Sequence, residues 1–223
     1  MTILSVYAHH EATSLTSALK NVTISVLSHQ GHTVLESDLY GSGFAAKAEK
    51  YDFTTTSGQH FNYMLEQKHA QLEGMSFAPD IVAEIEKLAQ ADLVIFHTPL
   101  WWFSVPAVLK GWFDRVLAMG VAWDGGKIYE NGLLRGKRAM LCVTAGGPND
   151  YYRIDGKHKA TIPQILHPIQ HGTLAFCGFD VLEPYIVLNA LGKNHQQLQS
   201  VLTEYQFKIE HLVDSPTYFH KFD

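Results

Sequence analysis

The fold is decided by residues 93–117, LVIFHTPLWWFSVPAVLKGWFDRVL. Leu93-Val94-Ile95-Phe96 is a short apolar run and reads as a buried strand. After a turn, Trp101, Trp102 and Phe103 follow in direct succession. Pro106 then opens a helix with apolar residues at Val105, Val108, Leu109, Trp112, Phe113, Val116 and Leu117, a helical period. A strand, an aromatic loop and a helix in that order make half of an open α/β crevice. Such crevices bind ligands outside the carboxyl ends of parallel strands. Trp112 and Phe113 fall within the helix period and are expected in the core. Trp101, Trp102 and Phe103 are consecutive loop residues and cannot all enter one core, so they are expected to line a site for a flat, stacked ligand.

Upstream, Thr2–Ala8 reads as a first strand running into His9-His10-Glu11-Ala12-Thr13-Ser14 and then a helix with apolar Leu15, Ala18, Leu19, Val22 and Val26, ending near Gly31. Thr13 and Ser14 carry two readings that share one geometry, a helix N-cap and a phosphate seat at the same helix end. No G-x-G-x-x-G fingerprint is present. Thr33–Leu39 is a second strand. Residues 40–78 form a long polar excursion with a short helix near Met64–Lys68, and Pro79 begins a helix with apolar Ile81, Val82, Ile85, Leu88 and Ala89. Downstream, residues 120–136 form a Gly-rich, aromatic insertion. Arg138–Thr144 is a fourth strand that ends in Ala145-Gly146-Gly147, where backbone N–H groups can approach a ligand. A helix over Gln164–Ala175, a fifth strand over Phe179–Pro184 and a last helix marked by Leu198, Val201, Leu202, Tyr205 and Ile209 complete the chain.

The alternation predicts a single α/β domain over 1–223 with insertions at about 40–78 and 120–136, built on a five-stranded parallel sheet. In a flavodoxin-like order 2-1-3-4-5, the loops at His9–Ser14, Pro99–Phe103 and Thr144–Tyr152 meet at the topological switch point. They offer a helix N-terminus, aromatic faces and open backbone donors, a set that suits a flavin.

At 223 residues, 46% hydrophobic and 17% charged, the chain is long enough for a sizeable core. A formal charge of −5 without a Lys/Arg run argues against nucleic acid as a partner. No apolar stretch is long enough to insert in a membrane, no signal peptide is readable, and Cys142 and Cys177 read as buried free thiols, so a cytoplasmic setting is expected.

The chain resembles the NAD(P)H:quinone oxidoreductases of the DT-diaphorase type along nearly its whole length. The motifs are AHHEATS at Ala8–Ser14, ESDLY at Glu36–Tyr40, PDIVAE at Pro79–Glu84, ADLVIFHTPLWWFSVPAVLKGWFDRV at Ala91–Val116, TAGGPNDYY at Thr144–Tyr152 and HPIQHGTLAFCGFDVLEP at His167–Pro184. The resemblance implies a flavodoxin-like homodimer with its sites at the dimer interface. It implies two-electron, ping-pong hydride transfer from NAD(P)H through N5 of FAD to a quinone, with FMN as the alternative flavin. It implies that His9, Thr13, Ser14, Leu15 and Thr16 line the diphosphate side and that Asn62 contacts the flavin. Pro99, Leu100, Trp101, Trp102 and Phe103 would hold the ring, with Thr144, Ala145, Gly146 and Gly147 at its polar edge. It implies a catalytic pair, Tyr152 and His158, that stabilises charge on the reduced ring. Trp102 and Phe103, with Trp123, Phe176 and the tail aromatics Tyr218, Phe219 and Phe222 from the partner subunit, would wall the substrate slot. An ancillary flavoprotein docked on a transporter is the alternative role. His167 and His171 stand at i, i+4, but Ala175 occupies a position where a relative places a second ligand, so no metal is expected.

Overall fold

The computed structural model describes residues 1–58 and 60–218; Phe219 and Phe222 lie outside the described residues. Strands β1 (Thr2–Tyr7), β2 (Thr33–Asp38), β3 (Leu93–Pro99), β4 (Arg138–Thr144), β5 (Asp180–Val181) and β6 (Tyr185–Val187) alternate with helices α1 (Leu15–His29), α2 (Tyr63–Leu72), α3 (Pro79–Gln90), α4 (Ala107–Val116), α5 (Ile162–Ile169) and α6 (His195–Glu210). The order is β2-β1-β3-β4-β5, with β6 also on β4, and every pairing is parallel. This is the flavodoxin-like arrangement expected from the sequence.

Each central strand is buried on both faces, so its alternate side chains feed two cores. Val94, Phe96, Ala139, Leu141 and Val143 pack with Ile81, Leu88, Leu109 and Trp112 of α3 and α4. Leu93, Ile95, Met140 and Cys142 pack with Leu19 and Leu27 of α1 and Val201, Tyr205 and Ile209 of α6. Trp112 and Phe113 are core residues, as their place in the helix period requires. Cys142 and Cys177 are buried free thiols.

Three boundaries differ from the sequence reading. The fifth strand is split: β5 pairs Arg138 with Asp180, β6 pairs Cys142 with Tyr185, and the register shifts by one residue between them. The break contains Pro184, which has no N–H for a ladder. The helix placed at Gln164–Ala175 starts earlier, at Ile162. Thr161 and Gln164 form a capping box, with the Thr161 N–H donating to Gln164 Oε1 at 2.9 Å. It becomes a π-helix over Gln170–Ala175, just after the internal Pro168. The helix in the long excursion runs over Tyr63–Leu72, well beyond Met64–Lys68, because Asn62 caps it.

That excursion is fastened to α4 by Arg115. Its guanidinium donates to both carboxylate oxygens of Asp52 at 3.1 and 3.0 Å, to Asp80 at 2.7 Å and to the Ala45 carbonyl at 3.1 Å. The Tyr63 hydroxyl donates to the same Asp52 carboxylate at 2.6 Å.

Candidate functional site

The first of the three turns lies at the N-terminus of α1. Ser14 is its N-cap, accepting the Ser17 N–H at 3.1 Å. Thr13 donates both its N–H (2.9 Å) and its hydroxyl (2.8 Å) to Glu11 Oε1. These two bonds hold the Glu11 carboxyl below the usual carboxylate range. The turn therefore bears out the helix cap, and Thr13 pairs an anionic oxygen of the chain itself, from Glu11, at the same helix end.

The second turn is a two-residue hairpin closed by hydrogen bonds in both directions between Trp101 and Ser104, at 2.9 and 3.0 Å. Its central residues, Trp102 at φ 51° and Phe103 at φ 58°, are both left-handed. Such a turn normally takes Asn or Gly, so two bulky aromatics here store strain. Trp102 is 96% exposed and packs against nothing that could repay it.

The third turn follows β4. The Gly147 backbone lies against the Tyr152 hydroxyl oxygen. A Cβ on Gly147 would stand 2.9 Å from that oxygen, so the close approach requires glycine. Burial pushes the Tyr152 phenol upward against the opposing pull of the Gly147 backbone, so it keeps its proton.

Contacts between the turns bring them together. The hydroxyls of Thr16 and Thr144 lie 2.8 Å apart in a buried pair joining α1 to β4. The Leu100 N–H donates to the Thr144 carbonyl at 2.8 Å, and Pro99 pairs with Thr144 in the sheet. His9 and His10 stack on each other, and their rings lie 6.1 and 6.0 Å from Trp101. Phe103 meets the His158 ring edge-on at 4.9 Å, and His158 lies 4.8 Å from the Tyr152 ring. Leu15 opens α1 between the first turn and the second core. Ala145 and Gly147 accept hydrogen bonds from Ala190 and Asn189, and Leu191 lies beside Gly146.

Other expected residues stand apart from this cluster. Asn62 accepts the Leu65 N–H as the cap of α2, and the contacts tying the three turns together do not reach it. Trp123 and Phe176 meet at 5.7 Å, with Tyr129 against Phe176 at 5.5 Å. Trp123 and Phe176 border a recess of about 320 Å³ that Met64 and Lys110 also line. Among the described residues, no group of three or more His, Cys, Asp or Glu side chains is placed to hold a metal ion. His167 and His171 stack at 4.9 Å.

The sequence reading missed a polar chain beneath the site. His97, wholly buried in β3, lies 3.3 Å from the Ser5 hydroxyl, 3.0 Å from the Thr23 hydroxyl and 3.2 Å from the Tyr205 hydroxyl. Burial drives its imidazole down to about 3, so it is neutral. The chain binds β1, β3, α1 and α6 into one frame that positions the first two turns. Within an apolar strand, His97 was the one sequence signal for it. Asn189 and Leu191, also missed, lie in a loop with no motif of its own.

The arrangement fits a flavin on its own geometry. Thr13 already pairs an anionic oxygen at a helix N-terminus, Trp102 presents an open aromatic face, and the Gly146–Gly147 backbone sits against the Tyr152 phenol.

A family model described as the flavodoxin-like fold matches residues 1–209. The chain is 48% identical over 186 residues to ribosyldihydronicotinamide dehydrogenase (quinone) of Pongo abelii, covering 82% of this chain and 80% of the relative. It is 41% identical over 219 residues to NAD(P)H dehydrogenase (quinone) 1 of Rattus norvegicus, covering 97% and 79%. A crystal structure of a Klebsiella pneumoniae protein described as a candidate quinone reductase superposes with a TM-score of 0.92 at 39% identity, covering 99% of this chain and 88% of that one.

Proposed function

The chain belongs to the flavodoxin-like fold family, and from that premise we propose that it is a flavin-dependent NAD(P)H:quinone oxidoreductase. The observation that carries the reading is the convergence of an anion-holding helix end, an exposed tryptophan hairpin and a Gly-Gly backbone on one end of the sheet. A bound flavin would supply the hydride-transfer chemistry between dihydronicotinamide and quinone, and the residues of the three turns would hold it. FAD is the flavin we assign, because the Thr13–Ser14 helix end can seat a diphosphate; the mass of the cofactor released on heating decides between it and FMN.

His9, Thr13, Ser14 and Thr16 seat the phosphates. Pro99, Leu100, Trp101, Trp102 and Phe103 support the ring, and Thr144, Ala145, Gly146 and Gly147 meet its polar edge. Tyr152, kept protonated, donates toward that edge, and His158 beside it holds or releases the compensating proton. Phe103 and His158, meeting edge-on, exclude water from the place where donor and acceptor lie in turn.

Among the described residues, Asn62 caps α2 and Trp123 packs on Phe176, apart from the contacts that join the three turns. We assign them to the partner's slot in a homodimer, a role that sedimentation at the mass of one chain would refute. No helix among the described residues is long and apolar enough to cross a membrane. The ancillary role is the weaker reading, since the relatives named above are dehydrogenases.

The deciding experiment is anaerobic. NADPH or NADH should bleach the flavin-loaded protein within seconds, and menadione should restore the colour. Tyr152→Phe and His158→Gln should retain flavin but reduce it about a hundredfold more slowly, the usual scale of a general acid–base contribution. Wild-type rates in both variants would remove these two residues from catalysis.

A further inference from the structure

We infer that the loop around His158 selects the reductant by its phosphates, favouring NADPH over an uncharged dihydronicotinamide. This rests on the oxidoreductase reading and adds Arg153 and Lys157 to it as specificity residues.

Residues 150–159, DYYRIDGKHK, hold three cations, Arg153, Lys157 and Lys159, against two carboxylates, Asp150 and Asp155, in a chain whose formal charge is −5. The loop is folded tightly on itself. The Gly156 N–H donates to the Arg153 carbonyl, and the His158 N–H to the Tyr151 carbonyl, both at 3.0 Å. A Cβ on Gly156 would stand 2.2 Å from the Asp150 carbonyl oxygen, so only glycine permits this closure. The basic side chains therefore start from a fixed backbone, which lowers the entropy cost of using them.

Lys157 Nζ lies 4.3 Å above the centre of the Tyr151 ring and donates to its hydroxyl at 2.6 Å. Arg153 makes a fork with Asp155, from Nε at 2.9 Å and from Nη2 at 3.0 Å. Lys159 Nζ approaches the Asp155 carbonyl at 3.5 Å. Asp150, Tyr151, Arg153, Asp155, Gly156 and Lys157 line a recess of about 380 Å³. Through Tyr151 the recess adjoins the slot, since His158 is edge-on to Tyr151 at 5.4 Å and to Phe103 at 4.9 Å. A dinucleotide whose nicotinamide lies by Phe103 can thus extend its phosphates toward Arg153 and Lys157. Guanidinium and ammonium groups bind phosphate through charge-assisted hydrogen bonds. Asp155 competes with the phosphate for Arg153, so removing either charge should move affinity in opposite directions.

The test uses anaerobic stopped-flow reduction of the flavin-loaded protein by NADPH and by uncharged N-benzyldihydronicotinamide. Arg153→Gln should raise the half-saturating NADPH concentration about tenfold, the scale of one charge-assisted contact, and Asp155→Asn should lower it. The uncharged donor, as internal reference, should move less than about twofold in both. The inference is overturned by equal shifts for the two donors, by shifts of the same sign in the two variants, or by no shift with NADPH. Bleaching of the wild type by the uncharged donor alone would overturn it and leave the oxidoreductase reading standing. Bleaching by neither donor would bring down that reading as well.

Discussion

Trp102 occupies a backbone conformation that its side chain makes expensive. A left-handed angle costs a non-glycine residue about 1–2 kcal/mol, and Asn tolerates it best. Because Trp102 is almost wholly exposed, replacing it forfeits little packing. Trp102→Asn should therefore raise the stability of the flavin-free protein by about 1 kcal/mol, read as a higher urea midpoint, while slowing flavin reduction. A lower midpoint would mean that the aromatic hairpin is a packing element and its strain incidental. That Trp101, Trp102 and Phe103 stay out of the core was legible, because three adjacent loop residues cannot share one. The strain was not legible, because it depends on the pair of hydrogen bonds that close the turn at Ser104.

At the scale of elements, Arg115 decides where the excursion at 40–78 sits. It is a charged residue on the buried face of α4, in line with Val108 and Trp112, and its partners Asp52 and Asp80 come from the excursion and from α3. Removing one member of a buried pair leaves the other charge uncompensated, at a cost of about 3–5 kcal/mol. Arg115→Met should destabilise by that amount and expose residues 40–78 to limited proteolysis. A loss below about 1 kcal/mol would show that solvent already screens the Asp52 carboxylate. The sequence carried half of this signal: an arginine on an apolar stripe needs a partner, but nothing local says which aspartate. The split fifth strand is similar. The sequence reading ends the strand at Pro184, whereas pairing resumes at Tyr185 on the same edge of β4.

For the whole molecule, acid stability turns on His97. Its folded value of about 3 lies below the ordinary histidine value of 6.5, so between those limits the unfolded chain binds a proton that the folded chain refuses. Stability from this group is complete above pH 6.5 and falls as the pH drops toward 3. The slope approaches about 1.4 kcal/mol per pH unit. Urea midpoints measured from pH 6.5 to 5 should fall in the wild type, and His97→Gln, although weaker at neutral pH, should show a shallower fall. Parallel curves would place the proton uptake elsewhere. The frame is cooperative in this sense: one imidazole joins strands β1 and β3 to helices α1 and α6, and with them the seats of the first two turns.

The sequence by itself determined the succession of elements and the two-faced parallel sheet, because strand runs and helix stripes are local patterns of side-chain spacing. It also marked the three turns, which follow β1, β3 and β4, but that those strands are neighbours came with the strand order β2-β1-β3-β4-β5, which local side-chain spacing does not fix. Only the tertiary structure decided which polar groups are buried. His97, Arg115 and the Thr16–Thr144 pair are stabilised by partners dozens of residues away, and a buried polar group is tolerated only where such partners arrive. The same holds for the slot: Trp123 and Phe176 lie in a second cluster away from the three turns, because distance along the chain does not fix distance in space.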